Sequence, residues 1–509
     1  MSYKKQIAAA VLVTLALVLA FGSQTHLFPS KTERETLTNS STQDGVSSGK
    51  ISTKQIISFV KPMETPYITE YPLPNGTGPN SILVDKKGIV WTVGSTLHVL
   101  FRLNPKTGEL QQYHIPGENG NDDHMSWSML EDKDGFIWFS QFGPDPLWRF
   151  DPNSDSFTSF HSLRAPPFQM KLDAKTGNIW FTTLTEDSVG LIQMIQNGSD
   201  PHMDYKINEF SIGNETYPSG LALRGSSVWV TELQKGKVAE FEPVRDNSTG
   251  EITGIKKIEE LPTANETLFY APTDILFSDN NTAWMTEHGS STIDKFDVKS
   301  QHLTRIPTAQ NGFHVASLPF WLRESLDGSG IWFDEHEGGS IAFLDTNNNT
   351  LTEYKLQNNS EVVYMLNLAL DPQDPDKAWF SEWNADKIGV VERTAIPFDI
   401  HSDKNEILWN DKEDQKNFST DIEIKKEQSV PQGQHLLSLN VSSSMTPDGE
   451  LENMTANFSQ NRVDLNSSQS VHDILTLYDE SVQPGNYTLG ISAGNGLVTK
   501  TIFYELMVQ

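Results

Sequence analysis

The sequence contains no cysteine among its 509 residues. This absence excludes disulfides, thiolate nucleophiles and cysteine metal ligands, so the fold depends on its apolar core for stability. The chain also lacks a glycine-rich dinucleotide fingerprint, a phosphate loop, a Gly-x-Ser-x-Gly elbow and a His-Glu-x-x-His motif. These absences argue against nucleotide-binding, serine-hydrolase and zinc-protease functions.

Positive charge is scarce, with 38 Lys and Arg residues against 67 Asp and Glu residues and a formal net charge of -29. A surface with this charge repels nucleic acid and anionic lipid. We therefore expect no nucleic-acid partner, and membrane contact only through an N-terminal anchor. Small-molecule and surface-polymer ligands stay open as partners.

The N-terminus, residues 1–22, has the composition of an export signal. A basic start, MSYKKQ, precedes an apolar run of sixteen residues that ends in small residues. Such a segment is typical of a signal peptide, here with cleavage after Gly22, but it is nearly long enough to stay as a membrane anchor. Either outcome predicts an extracytoplasmic protein, secreted or N-terminally anchored.

Many of the asparagines lie in glycosylation sequons. Fifteen of the 33 asparagines lie in Asn-x-Ser/Thr, among them Asn75, Asn214 and Asn486. This frequency favours an exported glycoprotein. The alternative is that an Asn-rich loop composition produced some of the sequons.

A small or aliphatic residue followed by tryptophan recurs at intervals of 42 to 55 residues. Around each tryptophan, alternating apolar stretches are separated by Asp-Gly, Asn-Pro or Lys-Thr-Gly turns, which are strand and hairpin signals. Four strands per unit of this length predict an all-β, seven-bladed β-propeller in which the tryptophans pack neighbouring blades together. The seven tryptophans are Trp91, Trp138, Trp180, Trp229, Trp284, Trp332 and Trp379.

The last unit has only three strands before the repeat ends, and YITEYPLP at 67–74 resembles the fourth strands of other units. We therefore predict that 67–74 closes the last blade of a propeller over 67–396. A polar linker at 23–66 is expected before it and a charged linker at 397–429 after it. Residues 430–509 contain short strands separated by turns, which predicts a small immunoglobulin-like β-sandwich in a monomeric protein.

The segments ITEYPLPNGTGPNSILVDKKGIVWTV and AWFSEWNADKIGVVE resemble the blades of the virginiamycin B lyase (streptogramin lyase) family. The resemblance implies a carbon–oxygen lyase that opens a cyclic depsipeptide by elimination. It also implies a histidine base directly after the residue that opens a blade's first strand, and a glutamate-held magnesium ion. The matching positions are Asn80, Trp127, Phe168, Ser219, Thr273, Phe320 and Met365.

None of these positions is histidine, so whether the protein is an enzyme stays open. The nearest substitutes in the sequence are His124 and His314. A non-catalytic propeller that binds a polymer, peptide or surface partner is the alternative function.

Three residues after the repeat tryptophan, four consecutive units carry a carboxylate: Glu232, Glu287, Glu335 and Glu382. These positions share one face of a propeller, so the pattern predicts a Mg²⁺ or Ca²⁺ site there. His288 and His336 follow two of the glutamates and are candidate catalytic bases. Under the alternative interpretation, each glutamate pairs within the repeat, for example with Lys235 or Lys387.

A substrate pocket is predicted from GFHVASLPFWLRE, which supplies two aromatic side chains and one cation, Phe320, Trp321 and Arg323. The alternative is that the two aromatic residues belong to the core.

Overall fold

The computed structural model describes residues 51–52, 55–117, 124–195, 204–263, 269–308, 317–357, 362–409, 417–427, 434–443, 454–466, 469–479 and 485–508. These residues form an all-β protein, and about 60% of them lie in strands. The helical segments within them are two 3-10 turns, Leu184–Glu186 and Trp383–Ala385. Nowhere in these ranges is there a helix with the length and apolarity needed to span a bilayer. The predicted signal or anchor at 1–22 lies outside the described residues, and so does His314.

Antiparallel sheets follow one another along the chain, each with strands paired in sequence order. Sheet 1 contains Pro79–Val84, Val90–Gly94, Val99–Asn104 and Glu109–His114. Sheet 2 contains Met129–Glu131, Ile137–Ser140, Leu147–Asp151 and Ser156–Phe160. Sheet 3 contains Gln169–Leu172, Ile179–Thr183, Ser188–Ile195 and Asp204–Ser211. Sheet 4 contains Pro218–Arg224, Ser227–Glu232, Lys237–Arg245 and Ile252–Leu261.

The second half of the chain continues this order. Sheet 5 contains Pro272–Phe277, Thr282–Glu287, Thr292–Asp297 and His302–Pro307. Sheet 6 begins with Pro319–Glu324, Gly330–Glu335, Ser340–Asp345 and Thr350–Lys355. Sheet 7 contains Met365–Leu370, Lys377–Glu382 and Lys387–Glu392, and its fourth strand is Ile68–Pro72.

The sheets are arranged around a common axis. The first strand of each sheet contacts the first strand of the next, and the first strand of sheet 7 contacts that of sheet 1. Sheet 7 is completed by the pairing of Lys387–Glu392 with Ile68–Pro72, which lie more than three hundred residues apart. Two distant parts of the chain therefore close one sheet, and the ring has the arrangement of a β-propeller.

Part of the predicted N-terminal linker at 23–66 is structured, which corrects that prediction. Gln55–Phe59 pairs with Glu109–His114 at the outer edge of sheet 1, and Ile51–Ser52 pairs with Ser156–Phe160 of sheet 2. Met63–Glu64 pairs with the edge of Ile68–Pro72. These strands cover backbone groups that would otherwise be open sheet edges.

The repeated Asp-x-x-Gly-x-Val/Ile-Trp pattern has a local explanation in sheet 1. Asp85 accepts hydrogen bonds from the backbone N–H groups of Lys87 and Ile89 through Oδ1, and from Trp91 Nε1 at 3.0 Å through Oδ2. One carboxylate thus shapes the hairpin turn and satisfies the buried indole N–H. Asp132 and Trp138 repeat the arrangement in sheet 2 at 2.8 Å.

Each repeat tryptophan is at most 3% exposed. Each belongs to an apolar cluster that also contains residues of the following sheet, as Trp91 does with Phe150 and Trp229 with Ile275. Burying a side chain of this size contributes on the order of 2–3 kcal/mol or more. The tryptophans therefore hold neighbouring sheets together, as their spacing predicted.

The C-terminal region contains two further layers of strands. One layer is Phe398–His401, Asn417–Lys426, Ser470–Asp479 and Met454–Phe458. The other is Glu406–Trp409, Val498–Val508, Gly485–Gly494, Leu436–Ser443 and Arg462–Asp464. The predicted linker at 397–429 is thus wrong over its described part, because Phe398–His401 and Asn417–Lys426 pair with the later strands.

The second C-terminal layer is continuous with sheet 6. Val498–Val508 pairs antiparallel with Thr350–Lys355, which is the outer strand of sheet 6, over the register Thr350–Ile502 to Tyr354–Val498. A single hydrogen-bonded sheet therefore joins the ring to the C-terminal strands. Lys500 adds an ion pair to Asp399 at 2.6 Å beside this junction.

Candidate functional site

The first strands of the sheets begin at one end of the ring axis, and we call this end the mouth. Several of these strands begin with an irregularity in their pairing. In sheets 1, 4, 5 and 6 the strand opens with a proline, and the register shifts directly after it, between Pro79 and Ile82, Pro218 and Leu221, Pro272 and Asp274, and Pro319 and Leu322. Proline is tolerated at the first strand position because no ladder N–H is needed there, and a bulge redirects the next side chain. The residues after these prolines are thereby placed at the axis.

Aromatic rings meet across the axis at the mouth. Phe320 of sheet 6 lies 6.1 Å from Trp127, which precedes sheet 2, and 6.1 Å from Phe168, which precedes sheet 3. All three are 4% exposed or less. Asn367 of sheet 7 donates to the Trp127 carbonyl at 2.9 Å and so fixes this residue from the other side. The axis is therefore filled by apolar rings at this level.

The two candidate catalytic histidines lie beside this cluster and close to each other. The ring centres of His288 and His336 are 5.5 Å apart, and each lies within 5.5 Å of the Phe320 ring. His288 Nε2 and His336 Nδ1 are buried without a hydrogen-bond partner. Burial lowers the pKa of His288 to about 4, and burial with the nearby His288 lowers the pKa of His336 to about 3. Both imidazoles are neutral at pH 7.

A half-buried aromatic platform extends from His336 toward the surface. The Tyr364 ring lies 5.7 Å from His336 and 6.3 Å from the Trp383 ring, edge to face. The backbone N–H of Trp383 donates to the Tyr364 carbonyl at 3.0 Å, and Asn384 Oδ1 accepts from the Tyr364 N–H at 2.9 Å. These bonds fix the two aromatic residues relative to each other.

Gly78 lets the Trp383 indole approach the neighbouring backbone. Its φ is +55°, and an added Cβ would lie 3.1 Å from Trp383 Nε1. Any larger residue would be strained and would push the indole away. The sequence interpretation missed Tyr364 and Trp383. Trp383 follows Glu382 as His288 and His336 follow Glu287 and Glu335, but only the histidines at this repeat position were singled out.

The four predicted metal ligands have separate partners within their own sheets. Glu232 is fully buried and pairs with Lys235 at 3.2 Å and Lys257 at 3.4 Å. Both lysines belong to the same unit of the chain as Glu232. This carboxylate is thus neutralised by local cations.

Glu287 is held by a buried cation. Arg305 Nε lies 3.0 Å from Glu287 Oε2, and the Tyr270 N–H and Ser290 hydroxyl also donate to this carboxylate. Burial raises the pKa of Glu287, but the charge of Arg305 and the side-chain hydrogen bonds with Asp294, Arg305 and Ser290 outweigh it and lower the pKa. Burial and Glu287 raise the pKa of the adjacent Asp294 well above its usual value. The cluster therefore holds one ionised and one protonated carboxyl.

Glu335 and Glu382 each face a second carboxyl. Burial and Glu353 raise the pKa of Glu335 well above its usual value. Burial and Glu70 raise the pKa of Glu382 to about 8, although Lys387 opposes the shift and contacts Glu70 at 2.6 Å. Two carboxyls so placed share a proton instead of ionising together.

The predicted metal arc stays a prediction, and the described geometry does not favour it. Nowhere in the described ranges do three or more His, Asp or Glu side chains gather around a point that could hold an ion. The magnesium ion that the family resemblance implies needs carboxylates that converge on one point, whereas two of these four pair with local cations and two face a second carboxyl of their own sheet. The residues present do not fit that ion at the predicted arc.

The predicted pocket residues do not share one cavity. Phe320 lies at the mouth, whereas Trp321 is 1% exposed and donates from Nε1 to the Leu366 carbonyl at 2.7 Å. Arg323 pairs with the buried Asp274 at 2.9 Å. Trp321 is thus a core residue and Arg323 an ion-pair partner. The ring of His124 lies next to that of His98.

Comparison with known proteins identifies the fold. No protein-family model matches the chain. No curated protein matches it either. A solved structure of virginiamycin B lyase from Staphylococcus aureus matches with a TM-score of 0.50 and 23% identity, covering 64% of this chain and 99% of that chain. The propeller region resembles virginiamycin B lyase.

A second S. aureus structure is a catalytically inactive variant of virginiamycin B lyase with quinupristin. It matches with a TM-score of 0.50 and 22% identity, covering 64% of this chain and 99% of that chain. At this identity the likeness establishes a β-propeller fold and not an activity.

Proposed function

We propose that this chain is an exported propeller protein that binds an apolar, neutral or cationic peptide-like ligand at the mouth. The observation that carries the proposal is the aromatic platform of Tyr364 and Trp383, which adjoins neutral His336. Aromatic side chains that are half-buried and fixed in position are typical anchors for apolar ligands.

Charge limits the class of ligand. Glu337 lies close enough to Tyr364 that it raises the pKa of the phenol, after burial itself. The chain carries a net charge of -29. Both features disfavour an anionic ligand and are compatible with a basic group beside the platform.

The proposal also covers the number of propeller blades, the type of the C-terminal domain and the export of the protein. Ring contacts and the pairing of Ile68–Pro72 support a seven-bladed propeller over residues 67–396. The two C-terminal layers support an immunoglobulin-like sandwich that begins at Phe398. Residues 1–22 would direct export, and the exposed Asn75 and Asn214 would be accessible to a glycosylating host.

Elimination at the mouth is a second candidate function, favoured by the unpartnered nitrogens of His288 and His336. A general base works best when its pKa lies near the operating pH. The pKa values of about 4 and about 3 make both imidazoles weak bases at pH 7. Binding without turnover is therefore the function that we place first.

Isothermal titration of the full chain with quinupristin tests the proposal, since the virginiamycin B lyase structure that resembles this chain contains that compound. We expect Tyr364→Ala and Trp383→Ala each to weaken binding about tenfold or more, as loss of an aromatic anchor does. Tyr478→Ala is the matched control, because Tyr478 is a 40% exposed tyrosine of the C-terminal strands. Unchanged affinity in both mouth variants, or no binding by the wild type, would contradict the proposal.

A further inference from the structure

A second histidine pair lies on the same face of the ring, between sheets 1 and 2. His98 lies in the turn that precedes Val99–Asn104, and His124 lies in the segment before sheet 2. Their ring centres are 4.7 Å apart. The two rings and Gln141 line a cavity of about 20 Å³. This pair has no role in the proposed ligand site.

Both rings are held through Nδ1. His124 Nδ1 lies 2.8 Å from the Phe142 carbonyl oxygen, so this nitrogen carries the proton and donates it. His98 Nδ1 lies 2.8 Å from the Gln141 side-chain amide. The amide atom at this distance is Nε2. Because the oxygen and nitrogen of a side-chain amide exchange places on a 180° rotation, the Gln141 oxygen can occupy this position and accept a hydrogen bond from His98 Nδ1–H. A histidine fixed in this way presents Nε2 as a free lone pair.

The Nε2 atoms of both histidines are buried, and neither makes a hydrogen bond of normal geometry in the described part of the chain. The backbone carbonyl of Pro116 lies near the His98 ring and is the nearest competing partner. His124 itself is only 7% exposed. An unpartnered buried polar atom costs on the order of 1–3 kcal/mol, and two that border one cavity indicate that the cavity has an occupant.

Cavity size and donor chemistry identify the class of occupant. A cavity of about 20 Å³ accommodates a single water or ion. Imidazole nitrogens suit Zn²⁺ and similar divalent cations, whereas Mg²⁺ and Ca²⁺ prefer oxygen. Two imidazoles bound to one ion at about 2.1 Å bring their ring centres to roughly 4.5–5.3 Å, and the observed separation of 4.7 Å lies in this range.

We propose that His98 and His124 bind one zinc-type divalent cation, with Phe142 and Gln141 orienting the two rings and solvent completing the coordination. This assignment is compatible with the finding that no three His, Asp or Glu side chains surround one point in the described ranges, since it needs two protein ligands. Gly143 permits the packing, because a Cβ there would lie 3.1 Å from His124 Nδ1.

Equilibrium dialysis of the untagged, EDTA-treated full chain against Zn²⁺ tests the site, with metal counted by mass spectrometry. We expect one zinc ion per chain, lost in His124→Phe and in His98→Asn. Gln141→Leu should weaken zinc binding about 10- to 100-fold, because it removes a ring-orienting partner. His302→Ala, at an exposed position of sheet 5, should bind zinc like the wild type.

Co²⁺ gives a readout that depends on direct ligation. We expect a visible absorption band with the wild type and with His302→Ala, and none with His124→Phe. Circular dichroism without metal shows whether each variant is folded. If His124→Phe does not fold, His98→Asn takes its place in the cobalt measurement. Wild-type protein that takes up no zinc would mean that the cavity holds water only, and zinc retained by both folded ligand variants would equally overturn the proposal.

Discussion

The paired carboxyls of Glu382 and Glu70 predict a pH-dependent stability that a single substitution should remove. Glu382 is 1% exposed, and burial with Glu70 raises its pKa from 4.5 to about 8. Between these values the folded state binds more protons than the unfolded state, so its contribution to stability falls as pH rises. The loss is about 1.4 kcal/mol per pH unit, or about 3 kcal/mol between pH 4.5 and pH 7.

Glu382→Gln keeps the size of the side chain and cannot ionise. We expect it to be close to wild type in stability at pH 5 and about 3 kcal/mol more stable at pH 7 to 8. At about 2.1 cal/mol/K of unfolding entropy per residue, this difference raises Tm by about 4 °C for a ring of roughly 330 residues.

Thermal unfolding from pH 5 to 9 measures this difference, and groups common to both proteins cancel in the comparison. Glu242→Gln is the matched control, because Glu242 is an exposed residue of sheet 4. Its Tm should follow the wild type at every pH. A Glu382→Gln difference that does not grow with pH would refute the shared-proton explanation.

Two further predictions concern buried polar groups. Asp132→Ala should cost about 2–4 kcal/mol in unfolding free energy, because the Trp138 indole N–H and a turn lose their acceptor; Asp403→Ala, at an exposed site, should cost almost nothing in the same denaturation assay. Arg305→Met should cost about 3–5 kcal/mol by leaving Glu287 without its cation. Asp294→Asn should cost less than about 1 kcal/mol because Asp294 is protonated; equal Tm losses for these last two variants would show that Asp294 is ionised.

The ring was predictable because its local chemistry repeats. The Asp85 turn and Trp91 occur at fixed separations, and each tryptophan needs a neighbouring sheet to cover it. Ring closure was predictable for a related reason, since the last unit lacked a fourth strand and 67–74 resembled one.

The C-terminal boundary was missed because charge obscured an alternating strand. In Asn417–Lys426, Thr420, Ile422 and Ile424 are buried, whereas the residues between them face outward. The period of two was present in the sequence, but acidic and basic flanks suggested a linker. Apolar alternation was the more reliable signal.

The candidate site was less predictable because its partners come from other strands. The position of Glu335 along the repeat gives no information about Glu353, which lies on the fourth strand and makes the pair. By contrast, Trp127, Phe168 and Phe320 occupy equivalent positions after the strand-opening residue. Three aromatic residues at one repeat position indicated a filled axis, but Phe320 was interpreted alone, as a pocket or core residue, and was not compared with the other two.

Titration of the full chain with quinupristin in EDTA, repeated in excess Mg²⁺, tests most directly whether the mouth is an aromatic binding site that works without a metal. Chromatography and mass spectrometry of the recovered compound then show whether it has reacted. We expect the same affinity in both buffers and an unchanged compound. Binding that requires Mg²⁺, or conversion to a ring-opened isomer of the same mass, would contradict the account and favour the lyase function.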